Sequence, residues 1–285
     1  MGYQAGYSNT TGYITAVGAG ALLSNTTGGG NFAFGGTVPG SYNAALYANT
    51  TGANNAAFAG GALQANTTGG SNAAFGVGAL YNNTTASSNT AVGYQAGYSN
   101  TTGSLNTAIG NQALYANTTA SSNTAVGHIS LTNNTTGSGN TSVGANSLQS
   151  NTTGSSHVAV GLQALYSNTT GAYNTAIGYT ALLSNTTGSR SIAMGYQAGY
   201  SNTTGAINAI GDGALYSNTT GAGNVALGGG NNTALYPSLY ANTTGNYNTA
   251  VGMGSLGQNT TASNNTAVGY QAGYGNATGV NNAYF

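Results

Sequence analysis

Each of sixteen regularly spaced small residues is followed by an asparagine, seven residues on in fourteen cases and fourteen on in the two expanded steps, at Asn9, Asn25, Asn49, Asn66, Asn83, Asn100, Asn117, Asn134, Asn151, Asn168, Asn185, Asn202, Asn218, Asn242, Asn259 and Asn276. Fifteen of these sites read Asn-Thr-Thr and the last reads Asn276-Ala277-Thr278. All satisfy Asn-x-Thr, the acceptor pattern for an N-linked sugar, in which a glycan is carried on the side-chain amide nitrogen. Ten are preceded at two residues by tyrosine, Tyr81, Tyr98 and Tyr216 among them, whose ring offers an apolar platform for the first sugar. Asparagine and threonine are also ordinary turn residues. A second column, Asn55, Asn72, Asn89, Asn106, Asn123, Asn174 and Asn248, recurs with no such pattern. A ladder of turn asparagines and a row of glycan acceptors therefore carry about equal weight, with the paired threonine tipping toward glycans.

No other chemistry is available. The chain has one basic residue, Arg190, one acidic residue, Asp212, two histidines, His128 and His157, and no cysteine. It cannot assemble a general acid with a base, a thiol nucleophile or a zinc site, so it is expected not to be an enzyme and to need no cofactor, covalent glycans apart. His157 falls in the second asparagine column and His128 in a variable one; both are expected to be exposed substitutions, as are the single charges of Arg190 and Asp212. Zero net charge removes the attraction that drives nucleic-acid or anionic-membrane binding. Mean hydropathy is -0.12, and every apolar run is interrupted before a membrane span is reached.

These residues are positioned by a repeat. Gly76, Gly93, Gly110, Gly127, Gly144, Gly161, Gly178 and Gly195 follow one another in steps of 17 residues, and the frame extends both ways to give 16 repeats over residues 1–285. Two steps are one residue short, Gly2 to Gly18 and Gly195 to Gly211. Two carry seven extra residues, placing loop insertions near 35–41 and 228–234; Pro39 and Pro237 occur only in these expanded steps, which are expected to bulge outward. A fixed short period signals a solenoid with one repeat per turn. Several glycines, asparagines and threonines in every repeat leave no helical stripe, so the fold class is all-β: a β-solenoid, a parallel β-roll or β-helix, of sixteen turns of ~17 residues, uncapped at both ends. At ~4.8 Å per rung these turns stack to roughly 77 Å.

Short strands are expected at Thr-Ala-Val-Gly and at Gln-Ala-Leu-Tyr. The apolar columns are the residue before the repeat glycine, from Val92 and Ile109 to Met194, and the leucine four after it, with alanine and leucine making a thin core. Stacking sets each residue ~4.8 Å above its equivalent, so a charged column would be a file of like charges and neutral Asn, Thr and Tyr take its place. Met1 and Gly2 at one end and Tyr284 and Phe285 at the other fall in matching columns. Uncapped rungs of matching phase predict self-association head to tail.

The string Asn-Thr-Ala-Ile-Gly-Asn-Gln-Ala-Leu at 106–114, with its fifteen relatives, resembles the Ser-x-Ala-Ile-Gly-x-x-Ala repeats of trimeric autotransporter adhesin heads. It also resembles the Asn-Thr-Ala-Ile-Gly-Tyr repeats of phage-type tail fibres. The resemblance spans the chain, although the adhesin repeat is shorter. It implies a left-handed parallel β-roll, commonly a homotrimer, serving as a shaft or adhesive head outside the cell or on a virion. The expected function is a non-catalytic extracellular structural fibre, N-glycosylated at its Asn-Thr-Thr turns. The shaft or binding module of an adhesin or tail fibre is the alternative, and an ice-binding solenoid a lower one.

Overall fold

A computed structural model describes residues 2–230 and 236–285. Among these every regular element is a β-strand, and the contacts divide the chain into two units, Met1–Asn140 and Thr141–Phe285. The first unit carries β1 (Ile14–Val17), β2 (Asn31–Phe34), β3 (Ala56–Phe58), β4 (Ala73–Phe75), β5 (Thr90–Val92), β6 (Thr107–Ile109) and β7 (Thr124–Val126). The second carries β8 (Thr141–Val143), β9 (Val158–Val160), β10 (Thr175–Ile177), β11 (Ile192–Met194), β12 (Ile207–Ile210), β13 (Asn224–Leu227), β14 (Thr249–Val251), β15 (Thr266–Val268) and β16 (Ala283–Tyr284). Within each unit every strand pairs in parallel with the next in the chain, equivalent residues opposite one another, as in Thr90↔Thr107, Ala91↔Ala108 and Val92↔Ile109. Each unit is thus a β-solenoid in which one repeat makes one turn.

Strand geometry corrects the expected core. Side chains alternate across a strand, and here the middle alanine points in: Ala57, Ala74, Ala91, Ala125, Ala176 and Ala193 are fully buried. The threonine before it and the residue after it point out, so the Val92, Ile109 and Met194 column, each 39% exposed, lines the outer face. The other apolar column stays inside, with Leu63, Leu131, Leu165 and Leu182 fully buried. A leucine projecting from the far side of a narrow turn leaves room for only a methyl group opposite.

The expected second strand at Gln-Ala-Leu-Tyr is instead a run of turns. Gly76, Gly78 and Leu80 have φ of 138°, 69° and 50°, and left-handed residues at alternate positions curl the backbone. Ala79, Tyr81 and Asn83 N–H groups donate three residues back, to Gly76, Gly78 and Leu80 O, while Leu80 and Asn82 N–H groups donate to Ala96 and Tyr98 O of the next rung. A left-handed leucine costs on the order of 1–2 kcal/mol, offset by full burial of its side chain. The repeat glycine is fixed by close approach: a Cβ on Gly110, at φ 135°, would collide with the backbone oxygen of Gly127 on the next rung.

The first expansion leaves the rung as expected. Val38 and Tyr42 form an antiparallel bridge, and Thr37, Pro39, Gly40 and Ser41 are exposed. Of the second, residues 231–235 lie outside the described residues, and Pro237 is buried against Gly213.

Candidate functional site

The Asn-x-Thr asparagines face inward. Fourteen of them, Asn25 through Asn259, are 0–1% exposed. Each amide lies in a fixed relay. Asn83 Nδ2 donates to Asn66 Oδ1 at 2.8 Å and to Ala86 O at 3.0 Å; Asn100 Nδ2 then donates to Asn83 Oδ1 at 2.9 Å and to Gly103 O at 2.9 Å. In the second unit Asn185, Asn202 and Asn218 repeat the pattern on Asn168, Asn185 and Asn202 at 3.0, 3.1 and 2.8 Å. In these members both amide hydrogens and the carbonyl oxygen are engaged, as a buried amide favours; at Asn259, where the relay ends, Oδ1 is buried without a partner.

This burial weighs against the glycan expectation at those fourteen positions. A sugar on Nδ2 replaces one of the two hydrogens the relay uses, and the buried nitrogen offers no path for a glycan to reach solvent. Asn9 and Asn276 are half-buried, and their Nδ2 atoms donate to Gly12 O and Gly279 O at 2.8 and 2.9 Å. The exposed hydroxyl of each turn belongs to the second threonine, such as Thr68, Thr102 or Thr187. The first threonine binds the next rung, as Thr67 Oγ1 does on Thr84 O at 3.1 Å.

The second asparagine column is also interior and also a relay. Asn72 Nδ2 donates to Ala86 O at 2.9 Å, and Asn72 Oδ1 accepts the Asn89 N–H at 3.0 Å. His157 belongs to it, and the expectation of an exposed histidine fails: it is 1% exposed. Its Nδ1 accepts the Asn174 N–H at 3.2 Å, and its Nε2 lies 3.2 Å from Asn168 Nδ2. Burial lowers its pKa to about 4, so the ring is neutral at physiological pH. Its column mates carried the signal, because a position interior in one rung is interior in all. His128, Arg190 and Asp212 are exposed and scattered, as expected. No group of three or more His, Cys, Asp or Glu that could hold a metal occurs among the described residues.

Sequence reasoning missed how the expansions are used. The tyrosine column two residues before the first asparagines lacks an aromatic ring at six positions, Gln64 and Gly257 among them. Tyr42, from the first expansion, packs edge-on to Tyr81 at 5.6 Å, and the Asn43 N–H donates to Gln64 Oε1 at 2.7 Å. Tyr236, from the second, stacks between Tyr240 and Tyr274 at 5.0 and 6.0 Å. Each expansion brings a ring to a stretch of the column beside one of these gaps.

Of the predicted assembly residues, Met1 lies outside the described residues. Gly2 packs on Gly18, Tyr284 lies in β16 against Gly273, and Phe285 is 93% exposed. No protein-family model matches the chain, and neither a curated protein nor a solved structure matches it.

Proposed function

We propose that this chain is a non-catalytic structural element, a segment of a fibre outside the cell or on a virion surface. The observation that carries the reading is the direction of its polar bonding. Asparagine, threonine and serine side chains join one rung to the next: Asn66 Nδ2 donates to Asn49 Oδ1 at 2.7 Å, Thr50 Oγ1 to Thr67 O at 3.0 Å, and the Ser87 N–H to Ser104 Oγ at 3.0 Å. Such groups supply stiffness along a stack, where a catalytic site would turn them toward a common point. The location follows from the resemblance to adhesin and tail-fibre repeats. Association of copies through Gly2, Tyr284 and Phe285 belongs to the same reading. Electron microscopy of the purified chain should show rods that join end to end as concentration rises; compact spheres would sink the proposal.

A second reading, a shaft that also binds through its flank, is favoured by one surface. On β2–β4 the outward positions are Phe32, Phe34, Ala56, Phe58, Ala73 and Phe75, and the rings of Phe58 and Phe75 stack at 4.6 Å. Exposed apolar patches of this kind mark contact surfaces. Phe34→Ser and Phe75→Ser together should abolish any surface adhesion the chain shows while leaving its rods intact.

A further inference from the structure

The half-buried tyrosines of the column beside the first asparagines form files of rings. In the first unit Tyr81, Tyr98 and Tyr115 are 4.9 and 5.2 Å apart between centroids, with planes 7° and 9° from parallel. In the second, Tyr200, Tyr216 and Tyr240 are 5.0 and 5.3 Å apart, with planes at 5° and 15°. The backbone enforces this contact, because residues one turn apart are held at strand spacing by the bonds above and below them. The tyrosines most open to solvent, Tyr3, Tyr7, Tyr13, Tyr173, Tyr247 and Tyr270, stand outside these files.

We propose that these stacks are sites of oxidative cross-linking, at which a one-electron oxidant of the peroxidase class joins tyrosines of neighbouring rungs as dityrosine. Loss of one electron and the phenolic proton from a tyrosine gives a neutral phenoxyl radical with spin density on the ring carbons ortho to oxygen. Two such radicals on adjacent rungs couple ortho to ortho, forming one carbon–carbon bond. Each coupled carbon then gives up its hydrogen as a proton while the phenol is restored. The net change for two tyrosines is the loss of two electrons and two protons, which reduce one hydrogen peroxide to two waters through the peroxidase. Stacking supplies the proximity, since reactants already in contact avoid the entropy of encounter. Rotation of the side chains closes the remaining gap. The phenols, protonated at neutral pH and in Tyr98 and Tyr216 pushed further up by burial, lose the electron together with a proton. The product is a covalent tie along the stack, and the inference stands whether or not the chain serves as a fibre.

The test treats the folded, full chain with peroxidase and hydrogen peroxide, then maps cross-linked peptides by mass spectrometry. Links should join Tyr81 to Tyr98, Tyr98 to Tyr115, Tyr200 to Tyr216 and Tyr216 to Tyr240. Tyr98→Phe keeps the stacked ring but has no phenol to oxidise; it should remove the first two links, spare the last two and leave the circular dichroism unchanged. Links confined to the exposed Tyr3, Tyr7, Tyr13, Tyr173, Tyr247 and Tyr270 would overturn the proposal. So would equal yields of the four stacked pairs from the urea-unfolded chain.

Discussion

The two interior asparagine columns do similar work with different tolerance. The first is asparagine in all 16 repeats. The second is asparagine at every position from Asn31 to Asn140 in the first unit, yet holds His157, Ser191 and Ile207 in the second. The relays explain the difference. A first-column amide donates twice, across to a carbonyl three residues on and along to the amide before it, and accepts once. A second-column side chain mainly has to accept the next strand's N–H and donate one bond to a carbonyl. Histidine Nδ1 meets the accepting half, and Ser191 Oγ meets both, accepting from the Ile207 N–H at 3.2 Å and donating to Gly205 O at 3.1 Å. Repetition within one chain thus measures how narrowly a position's chemistry is defined.

Replacing a first-column donor by an acceptor tests that contrast most severely. Asn117→Asp sets a carboxyl oxygen against Ala120 O and Asn100 Oδ1, now 3.0 and 2.8 Å from Asn117 Nδ2. Leaving such a group buried without a counter-charge should cost the first unit about 3–5 kcal/mol, read as a fall in its urea midpoint.

The histidine gives the second column a pH dependence the first lacks. His157 takes up a proton near its ordinary value of 6.5 when unfolded but only at about 4 when folded. Its contribution is complete above the unfolded value and is lost as pH falls through the folded one, about 3 kcal/mol in all. His157→Asn should flatten the stability of the second unit across this acid window.

Ile207 marks a third kind of exchange. It sits in a one-residue-short step whose turn has Gly199 in place of leucine, and a Cβ there would stand 2.9 Å from Ile207 Cδ1. The isoleucine fills the missing leucine's space, as Ile14 does beside Gly6, 2.9 Å from the same kind of Cβ. Gly199→Leu should destabilise by about 2 kcal/mol through overpacking, and adding Ile207→Ala should recover part of the loss, a coupling visible in a double-mutant cycle.

The mildest case is serine in each column. Asn106→Ser should cost about 1 kcal/mol, because a hydroxyl serves that relay at Ser191 already, and Asn117→Ser about twice as much, because one donor is lost outright. Equal losses in thermal melts of the two variants would remove the distinction drawn between the columns.

The period, the strand at Thr-Ala-Val and the interior leucine were legible in the sequence, because a turn length and a glycine that tolerates no side chain repeat without drift. Orientation was not. Asn-Thr-Thr reads identically whether the amide points at solvent or at the next amide, and only the three-dimensional turn decides. The outward valine misled for a related reason: alternation assigns alanine and valine to opposite faces without saying which face is inside, and the larger group is the natural guess until the turn's leucine is seen to occupy the lumen. Tyr42 and Tyr236 reach rungs other than their own, which no column alignment can show.

Because each rung's bonds are addressed to an identical neighbour, a repeat gained or lost as a whole presents the same surfaces to those on either side. Length is therefore a trait that recombination between tandem copies of the coding sequence can alter in single steps without testing a new fold. A loss of one residue within a rung is accompanied in both short steps by an isoleucine that restores the filling.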